Sequence, residues 1–191
     1  MKTTRNCGSG LRQWVRLVVL AVAIAFVPRA AEAAGVRLGY YGGADADEKA
    51  FTVGVFDRWD VPGPLNLEFS ADYRKEKLLG GDMEAMVIPV RASLVLNLMP
   101  VLSPYLIAGV GADFVRASFH NKLAAIENQS ATLFEAHAGG GVEVTLGPFS
   151  VIGDVRYCRV AAMDNAAVNQ ALGHNYNPSG WYASLSAGIS F

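Results

Sequence analysis

One histidine in this sequence has a neighbour that could support acid–base chemistry. Glu135 lies two residues before His137, and residues two apart share a face of a strand, so the carboxylate could orient the imidazole. Ser93 or Ser150 could come near it in space, but no serine of the right parity stands beside His137 in the sequence. We expect His137 to be a structural hydrogen-bonding group and the protein not to be an enzyme.

The other residues that bind metals or cofactors are scattered along the chain. His120 and His174 fall in predicted loops, and Cys158 is the one cysteine that follows residues 1–33. Such a set does not have the spacing of a metal site. The glycines at 139–141 lie in a predicted strand with no helix after them, which is not a phosphate loop. We therefore expect no catalytic residue, no metal and no cofactor.

A set of charged or titratable residues shares the strand parity of Glu135 and His137. Both signs are present, and buried charges must be paired, so we expect a network of ion pairs inside a barrel about wide enough for side chains alone. The predicted members are Glu68, Asp72, Arg91, Asp113, Glu135, His137, Glu143, Asp154 and Arg156, together with Arg37 and Arg74. A narrow or gated pore is the alternative, with Glu68, Arg91, Glu143 and Arg156 as its natural members.

The elements that position these residues are β-strands. In the last segment, Trp181, Leu185 and Ile189 share one parity, while serines and a glycine occupy the other, so the two sets point to opposite faces. Several segments reach the roughly 9–11 residues that a tilted strand needs to cross a membrane. The predicted strands cover residues 35–42, 50–59, 64–75, 84–98, 104–116, 131–146, 149–161 and 180–191.

Short and long connections alternate between the predicted strands. Short ones at 60–63, 99–103 and 147–148 separate longer, more polar ones at 43–49, 76–83, 117–130 and 162–179. Short periplasmic turns and long external loops are the layout of an outer-membrane barrel. We therefore predict an all-β fold, an eight-stranded antiparallel up-and-down transmembrane β-barrel, with both chain ends on the periplasmic side.

Aromatic residues indicate which face is outside, because they gather at the two interfaces of a membrane. Tyr40, Phe51, Tyr73, Phe114, Phe134, Tyr157 and Trp181 are expected near the external ends of strands, and Trp59, Phe149 and Phe191 near the periplasmic ends. The alternative, a soluble barrel with an apolar interior, fits poorly with the apolar last strand. Asp57 and Arg159 share the apolar parity, so we expect them near strand ends or re-aimed by a bulge.

Residues 1–33 are predicted to be a cleaved signal peptide. Basic residues precede an apolar run at 17–27, and a small-x-small site follows at 31–33; an uncleaved N-terminal anchor is the alternative. Of the 16 basic and 17 acidic residues, five basic and one acidic lie in this segment, so the predicted barrel domain, residues 34–191, has a formal net charge of −5. This charge argues against a nucleic-acid partner, which requires a basic face.

Together these features resemble the small eight-stranded outer-membrane β-barrel family, which includes the transmembrane domain of OmpA-type proteins. The resemblance covers residues 35–191, and no peptidoglycan-binding domain follows, so wall tethering is not carried over. In this family the last strand looks like the recognition signal for the outer-membrane assembly machinery. The matching positions here are Trp181, Leu185, Ala187, Ile189 and Phe191.

The resemblance implies a monomer in the outer membrane of a Gram-negative bacterium, in contact with lipid and lipopolysaccharide. We expect a structural role in membrane integrity, with weak or gated pore activity as a variant of it. An adhesin or ligand-binding barrel that acts through its external loops is the alternative. A lipid A-modifying enzyme is a weaker one, because the His-x-Ser-Asn run of deacylase-type barrels does not occur in this sequence.

Overall fold

The computed structural model describes residues 33–99, 103–120, 128–161, 168–169 and 172–190, and these form a closed barrel of eight antiparallel strands. Each strand pairs with the next one in the chain, and the last pairs with the first. The predicted fold class is confirmed. The strands are β1 (Ala33–Gly43), β2 (Ala50–Val61), β3 (Leu65–Leu78), β4 (Met83–Asn97), β5 (Ser103–Phe119), β6 (Gln129–Leu146), β7 (Phe149–Val160) and β8 (Gly180–Ser190).

Every strand pairing keeps one register along its length. Asp57 lies between Ala34 on β1 and Phe69 on β3, and Arg159 lies opposite Ala136 on β6, each within an unbroken ladder. No bulge therefore re-aims Asp57 or Arg159, and both stay on the outward parity of their strands. The register also fixes the two ends of the barrel, which we call the short-turn end and the long-loop end.

The outer surface of the barrel is apolar and its interior is polar. Phe134, Trp181 and Leu185 face outward with 62%, 62% and 63% of their surface exposed, whereas Arg37 and Arg156 are fully buried. This is the inverse of a soluble barrel, in which apolar side chains fill the interior. Outward aromatic rings also contact each other near the strand ends, in the pairs Tyr40–Phe51, Tyr157–Trp181 and Trp59–Phe69.

Two parts of the sequence interpretation lie outside the described residues. These are the signal peptide and its alternative as an anchor, and the terminal aromatic, Phe191. A short 3₁₀ turn, Leu79–Gly81, connects β3 to β4. None of the helical segments in the described ranges is long and apolar enough to cross a membrane.

Candidate functional site

The interior holds three groups of ion pairs stacked between the short-turn end and the long-loop end. The group nearest the short turns, the lower cluster, consists of Arg37, Arg58, Glu68, Glu143, Asp154 and Arg156. Glu68 lies at its centre and accepts hydrogen bonds from Nη2 of Arg37 at 2.8 Å, of Arg58 at 2.6 Å and of Arg156 at 2.9 Å. Three guanidinium groups face three carboxylates, so the cluster is balanced in charge, as burial requires.

The middle cluster contains the histidine that the sequence singled out. Arg91 donates to both carboxylate oxygens of Glu135, at 2.5 and 2.9 Å, and to Asp72 Oδ2 at 2.6 Å. His137 Nδ1 lies 3.1 Å from Glu135 Oε1, and His137 Nε2 lies 2.9 Å from the Ser93 hydroxyl. A carboxylate can only accept a hydrogen bond, so Nδ1 donates to Glu135, and in the neutral imidazole Nε2 then accepts from Ser93.

The upper cluster joins the strands to the segment that follows β7. Arg74 donates to Glu76 Oε1 at 2.6 Å and to Asp113 Oδ2 at 3.2 Å, and its guanidinium carbon lies 3.8 Å from the centre of the Tyr41 ring. The second oxygen of Glu76 accepts a hydrogen bond of 2.7 Å from Tyr176 Oη. One arginine and one phenol therefore share this carboxylate.

Inward-facing glycines make this network possible. Arg91 on β4 reaches Glu135 on β6 across Gly111 of β5, and Ser93 reaches His137 across Gly109 in the same way. A Cβ atom at Gly109 would lie 2.8 Å from His137 Nε2, and one at Gly111 would lie 3.1 Å from Arg91 Cγ. Glycine is needed at both positions because any larger residue would stand between the partners.

Apolar side chains close the long-loop end of the interior. This external apolar cluster consists of Leu78, Met83, Ala85, Val87, Val115, Ala117, Phe119, Leu133, Val160, Val168 and Tyr176. Val168 and Tyr176 come from the segment after β7 and are fully buried among strand residues. The same segment is fastened to the barrel by hydrogen bonds from the Tyr41 hydroxyl to the Pro178 carbonyl and from Asn177 N to Asp45 Oδ2.

A polar cavity of about 310 Å³ lies at the short-turn end of the described structure, and its lining includes Arg58, Asp60, Asn66, Asn97 and Glu143. Asn97 donates to Asn66 Oδ1 at 2.6 Å, and Asn66 donates to Asp60. Polar residues therefore line the cavity at the short-turn end, and an apolar cluster fills the long-loop end, among the residues that the structure describes. Among the described residues, no group of three or more His, Cys, Asp or Glu side chains could hold a metal ion.

The structure places all the predicted interior residues inside the barrel and divides them among the three clusters. Three further members were not predicted from the sequence: Arg58, Glu76 and Tyr176. Arg58 has the inward parity of Phe56, and Glu76 continues the parity of Arg74 once β3 is extended to Leu78. The sequence gives no indication that Tyr176 is an interior residue, because it lies in a segment whose residues do not alternate between polar and apolar.

Four of the five predicted assembly positions lie on β8, and the fifth, Phe191, lies outside the described residues. Trp181, Leu185, Ala187 and Ile189 all face outward there, and Ile189 is 46% exposed. The fold and its apolar exterior define the class: a small eight-stranded barrel of the outer-membrane type.

Solved structures of that class resemble this chain. A major outer membrane protein from Thermus thermophilus matches with a TM-score of 0.63 at 13% identity, covering 85% of this chain and 100% of that one. Neisserial surface protein A matches with a TM-score of 0.60 at 13% identity, covering 83% and 95%. The outer membrane enzyme PagL matches with a TM-score of 0.52 at 18% identity, covering 83% and 99%. At these identities the likeness is one of fold.

No family model matches the sequence, and no curated protein matches it.

Proposed function

We propose that the protein is an integral barrel of a Gram-negative outer membrane whose role is structural, with a lumen that is closed at rest. The observation that carries the proposal is the filled interior. Three ion-pair clusters occupy the lumen, and the external apolar cluster seals its long-loop end. An eight-stranded barrel has little interior space beyond its side chains, so we expect the described residues to leave ions no continuous wet path.

The charges on the outer surface support an orientation with the long-loop end outside the cell. The described cations that lie outside the lumen are all near that end; they are Lys49, Lys75, Lys77, Arg116 and Arg159. Phosphate groups of lipopolysaccharide occupy the outer leaflet and would pair with such cations. Asp57, the outward carboxylate of β2, lies near the opposite end, which this orientation makes periplasmic. Lipid and lipopolysaccharide are accordingly the proposed partners of a monomeric barrel, with the assembly machinery as the partner during insertion.

Ion conductance tests the closed lumen. Protein purified from outer membranes is added to a planar bilayer, and a heat-shifted gel band verifies that the barrel is folded. We expect no discrete openings from the folded sample. Reproducible openings that vanish when the sample is heated before addition would overturn the closed-lumen role and favour the gated pore.

One observation favours a second candidate function, acyl hydrolysis. Ser93, His137 and Glu135 have the spacing of a nucleophile, a general base and an orienting carboxylate. PagL shows that this fold can belong to an enzyme. The candidate ranks second because Ser93 and His137 are 2% and 4% exposed and Glu135 is already bound by Arg91. Labelling of the folded barrel by a fluorophosphonate, lost in Ser93→Ala, would reverse the ranking.

A further inference from the structure

We propose that Asp57, Trp59 and Phe69 form a site for the primary ammonium group of a phospholipid in the periplasmic leaflet. The inference rests on the membrane location and orientation proposed above. It concerns the outer wall of the barrel, which faces lipid, and is independent of whether the lumen conducts.

Asp57 is a carboxylate on the lipid-facing side of β2. Phe51, Val53 and Trp59 share its parity and are 54%, 45% and 38% exposed. The unbroken ladder to Ala34 and Phe69 keeps Asp57 on the same face. Trp59 is two residues nearer the periplasmic end, which puts Asp57 about 5 Å further into the membrane for a strand of ordinary rise and tilt.

The Asp57 carboxylate is nearly buried and only half satisfied. It is 7% exposed, its Oδ2 accepts a hydrogen bond of 2.8 Å from Trp59 Nε1, and its Oδ1 has no hydrogen-bond partner. A neutral indole donor does not compensate a negative charge. An ionised carboxylate at the edge of the hydrocarbon region is stabilised by a cation that donates to its free oxygen.

The chain supplies no such cation within the residues that the structure describes. The adjacent arginine, Arg58, turns inward and is bound by Glu68 and Glu143 at 2.6 and 2.5 Å. The described cations of the outer wall, named under the proposed function, all lie near the long-loop end of the barrel, opposite to Asp57. The described side chains therefore supply no cation for Asp57. Cleavage after Ala33 would leave an α-ammonium group on Ala34, opposite Asp57 in the β1–β2 ladder, as the competing partner. The phase that bathes this face is lipid, and a headgroup preference at Trp59 decides between the two.

The two aromatic rings offer exposed faces to an ammonium group. The centroids of Trp59 and Phe69 lie 5.1 Å apart at an interplanar angle of 54°, and both rings are more than one third exposed. A cation is attracted to the face of an aromatic ring, most strongly to tryptophan. Tryptophan also sits at headgroup level. Because Oδ1 is covered, the ligand has to move neighbouring side chains to reach it.

The geometry also selects among headgroups. A primary ammonium, as in phosphatidylethanolamine, can donate a hydrogen bond to Oδ1. A quaternary ammonium, as in phosphatidylcholine, has no N–H to donate, and an anionic headgroup such as that of phosphatidylglycerol is repelled by Asp57. We therefore expect selection of ethanolamine over choline with the same acyl chains.

Tryptophan fluorescence can report on this site directly. The three tryptophans of the sequence are Trp14, Trp59 and Trp181, so the double change Trp14→Phe and Trp181→Phe leaves Trp59 as the reporter whether or not the signal peptide is removed. The purified barrel is placed in vesicles of phosphatidylcholine and phosphatidylethanolamine in which one lipid carries brominated chains that quench indole fluorescence. The ratio of quenching by the two brominated lipids gives their relative affinity at Trp59.

We expect the ethanolamine lipid to be favoured several-fold to about tenfold at Trp59, as the loss of one charge-assisted hydrogen bond implies. Asp57→Asn should remove this preference, whereas Asp60→Asn should keep it. A second reporter, with Trp14→Phe and Trp59→Phe, leaves Trp181 near the other end and should show no preference. Equal quenching in the wild-type site, or a preference that persists in Asp57→Asn, overturns the ammonium site.

These outcomes are distinguishable from failure of the proposed location. If the folded barrel is not quenched by either brominated lipid, its wall does not contact lipid, and the membrane proposal falls together with the site. If both lipids quench Trp59 to the same degree, the wall faces lipid as proposed and only the headgroup site is wrong.

Discussion

Arg91 and Glu135 form a bidentate ion pair between strands that are not neighbours. Nε and Nη2 of Arg91 lie 2.5 and 2.9 Å from the two oxygens of Glu135, across the backbone of β5. Both side chains are buried, and the pair links β4 to β6 by a route additional to the backbone ladders. The interior side chains thus connect the strands in addition to the backbone hydrogen bonds. Each of these side chains can be tested by its own substitution.

Removal of Arg91 should be strongly destabilising. Arg91→Ala leaves Glu135 and Asp72 buried without their cation, and breaking a buried pair in this way typically costs about 3–5 kcal/mol in the free energy of unfolding. Urea titration followed by the heat-shifted gel band measures the change. The double variant Arg91→Ala with Glu135→Gln should recover part of the loss, because the amide removes one unpaired charge. An unchanged urea midpoint in Arg91→Ala would exclude Arg91 from the network.

Gly111→Ala should destabilise the barrel, although replacing glycine by alanine at an ordinary strand position does not. The added Cβ would lie 2.6 Å from the Val90 carbonyl oxygen and 3.1 Å from Arg91 Cγ, and overpacking of this kind costs about 1–3 kcal/mol. Gly153 on β7 is the matched control, because a Cβ there meets nothing within 4 Å. Gly153→Ala should leave the urea midpoint unchanged or raise it. Equal effects at the two positions would refute the role given to Gly111.

The Tyr176 hydroxyl should contribute stability that depends on pH. Burial, and then the negative charge of Glu76, raise the pKa of this phenol above its ordinary value. The folded state therefore holds the proton more tightly than the unfolded state. The contribution is complete below the unfolded pKa of about 10 and is lost as the pH rises above it. At neutral pH we expect Tyr176→Phe to cost about 1.5–3 kcal/mol, the worth of a hydrogen bond to a charged group.

Unfolding of wild type and Tyr176→Phe at pH 8 and above pH 10 checks this expectation. The difference in their free energies of unfolding should shrink at the higher pH. Tyr157→Phe is the control, since Tyr157 faces outward and contacts Trp181; it should not change the pH dependence. A difference that stays constant with pH would show that the Tyr176 proton is not held as described.

A charge at Ile189 should impair assembly of the barrel. Ile189 faces outward on β8 and pairs with Ala34 and Phe149, and Ile189→Asp places a carboxylate on the face that we propose to meet lipid. We expect a several-fold lower yield of heat-modifiable protein in outer membranes, measured by gel against total expression. Ile189→Val keeps an apolar side chain and should assemble normally. Normal yield of Ile189→Asp would count against both the membrane location and the proposed assembly signal.

The strands and their faces could be predicted because both follow from a period of two. A tilted strand with lipid on one side and a polar lumen on the other must alternate, and this local rule is legible without knowing which strands pair. The end of β3 was harder to predict from the sequence. Lys75, Glu76 and Lys77 form a charged run typical of a loop, so the predicted strand stopped at 75. The alternation nevertheless continues, with both lysines outward and Glu76 inward.

The pairing inside the lumen could not be predicted, because it depends on reach across a third strand. Ser93 meets His137 only because Gly109 stands between them, and that relationship needs the register of three strands at once. The burial of Tyr176 could not be predicted for a different reason. A segment that folds back into the barrel mouth follows no period, so its burial depends on the shape of the opening that it fills.

The central position of Glu68 bears on the order in which the barrel forms. This carboxylate on β3 is shared by Arg37 of β1 and Arg156 of β7, and Arg37 also donates to Ser186 of β8, 149 residues away in the chain. In an open sheet the seventh and eighth strands are far from the first three, so Glu68 lacks Arg156 and Arg37 lacks Ser186 until β8 docks against β1. The pairs of the middle and upper clusters do not depend on this closure. Closure of the seam and completion of the lower cluster are therefore one event. A barrel whose seam is still open exposes the charges of that cluster on its inner side.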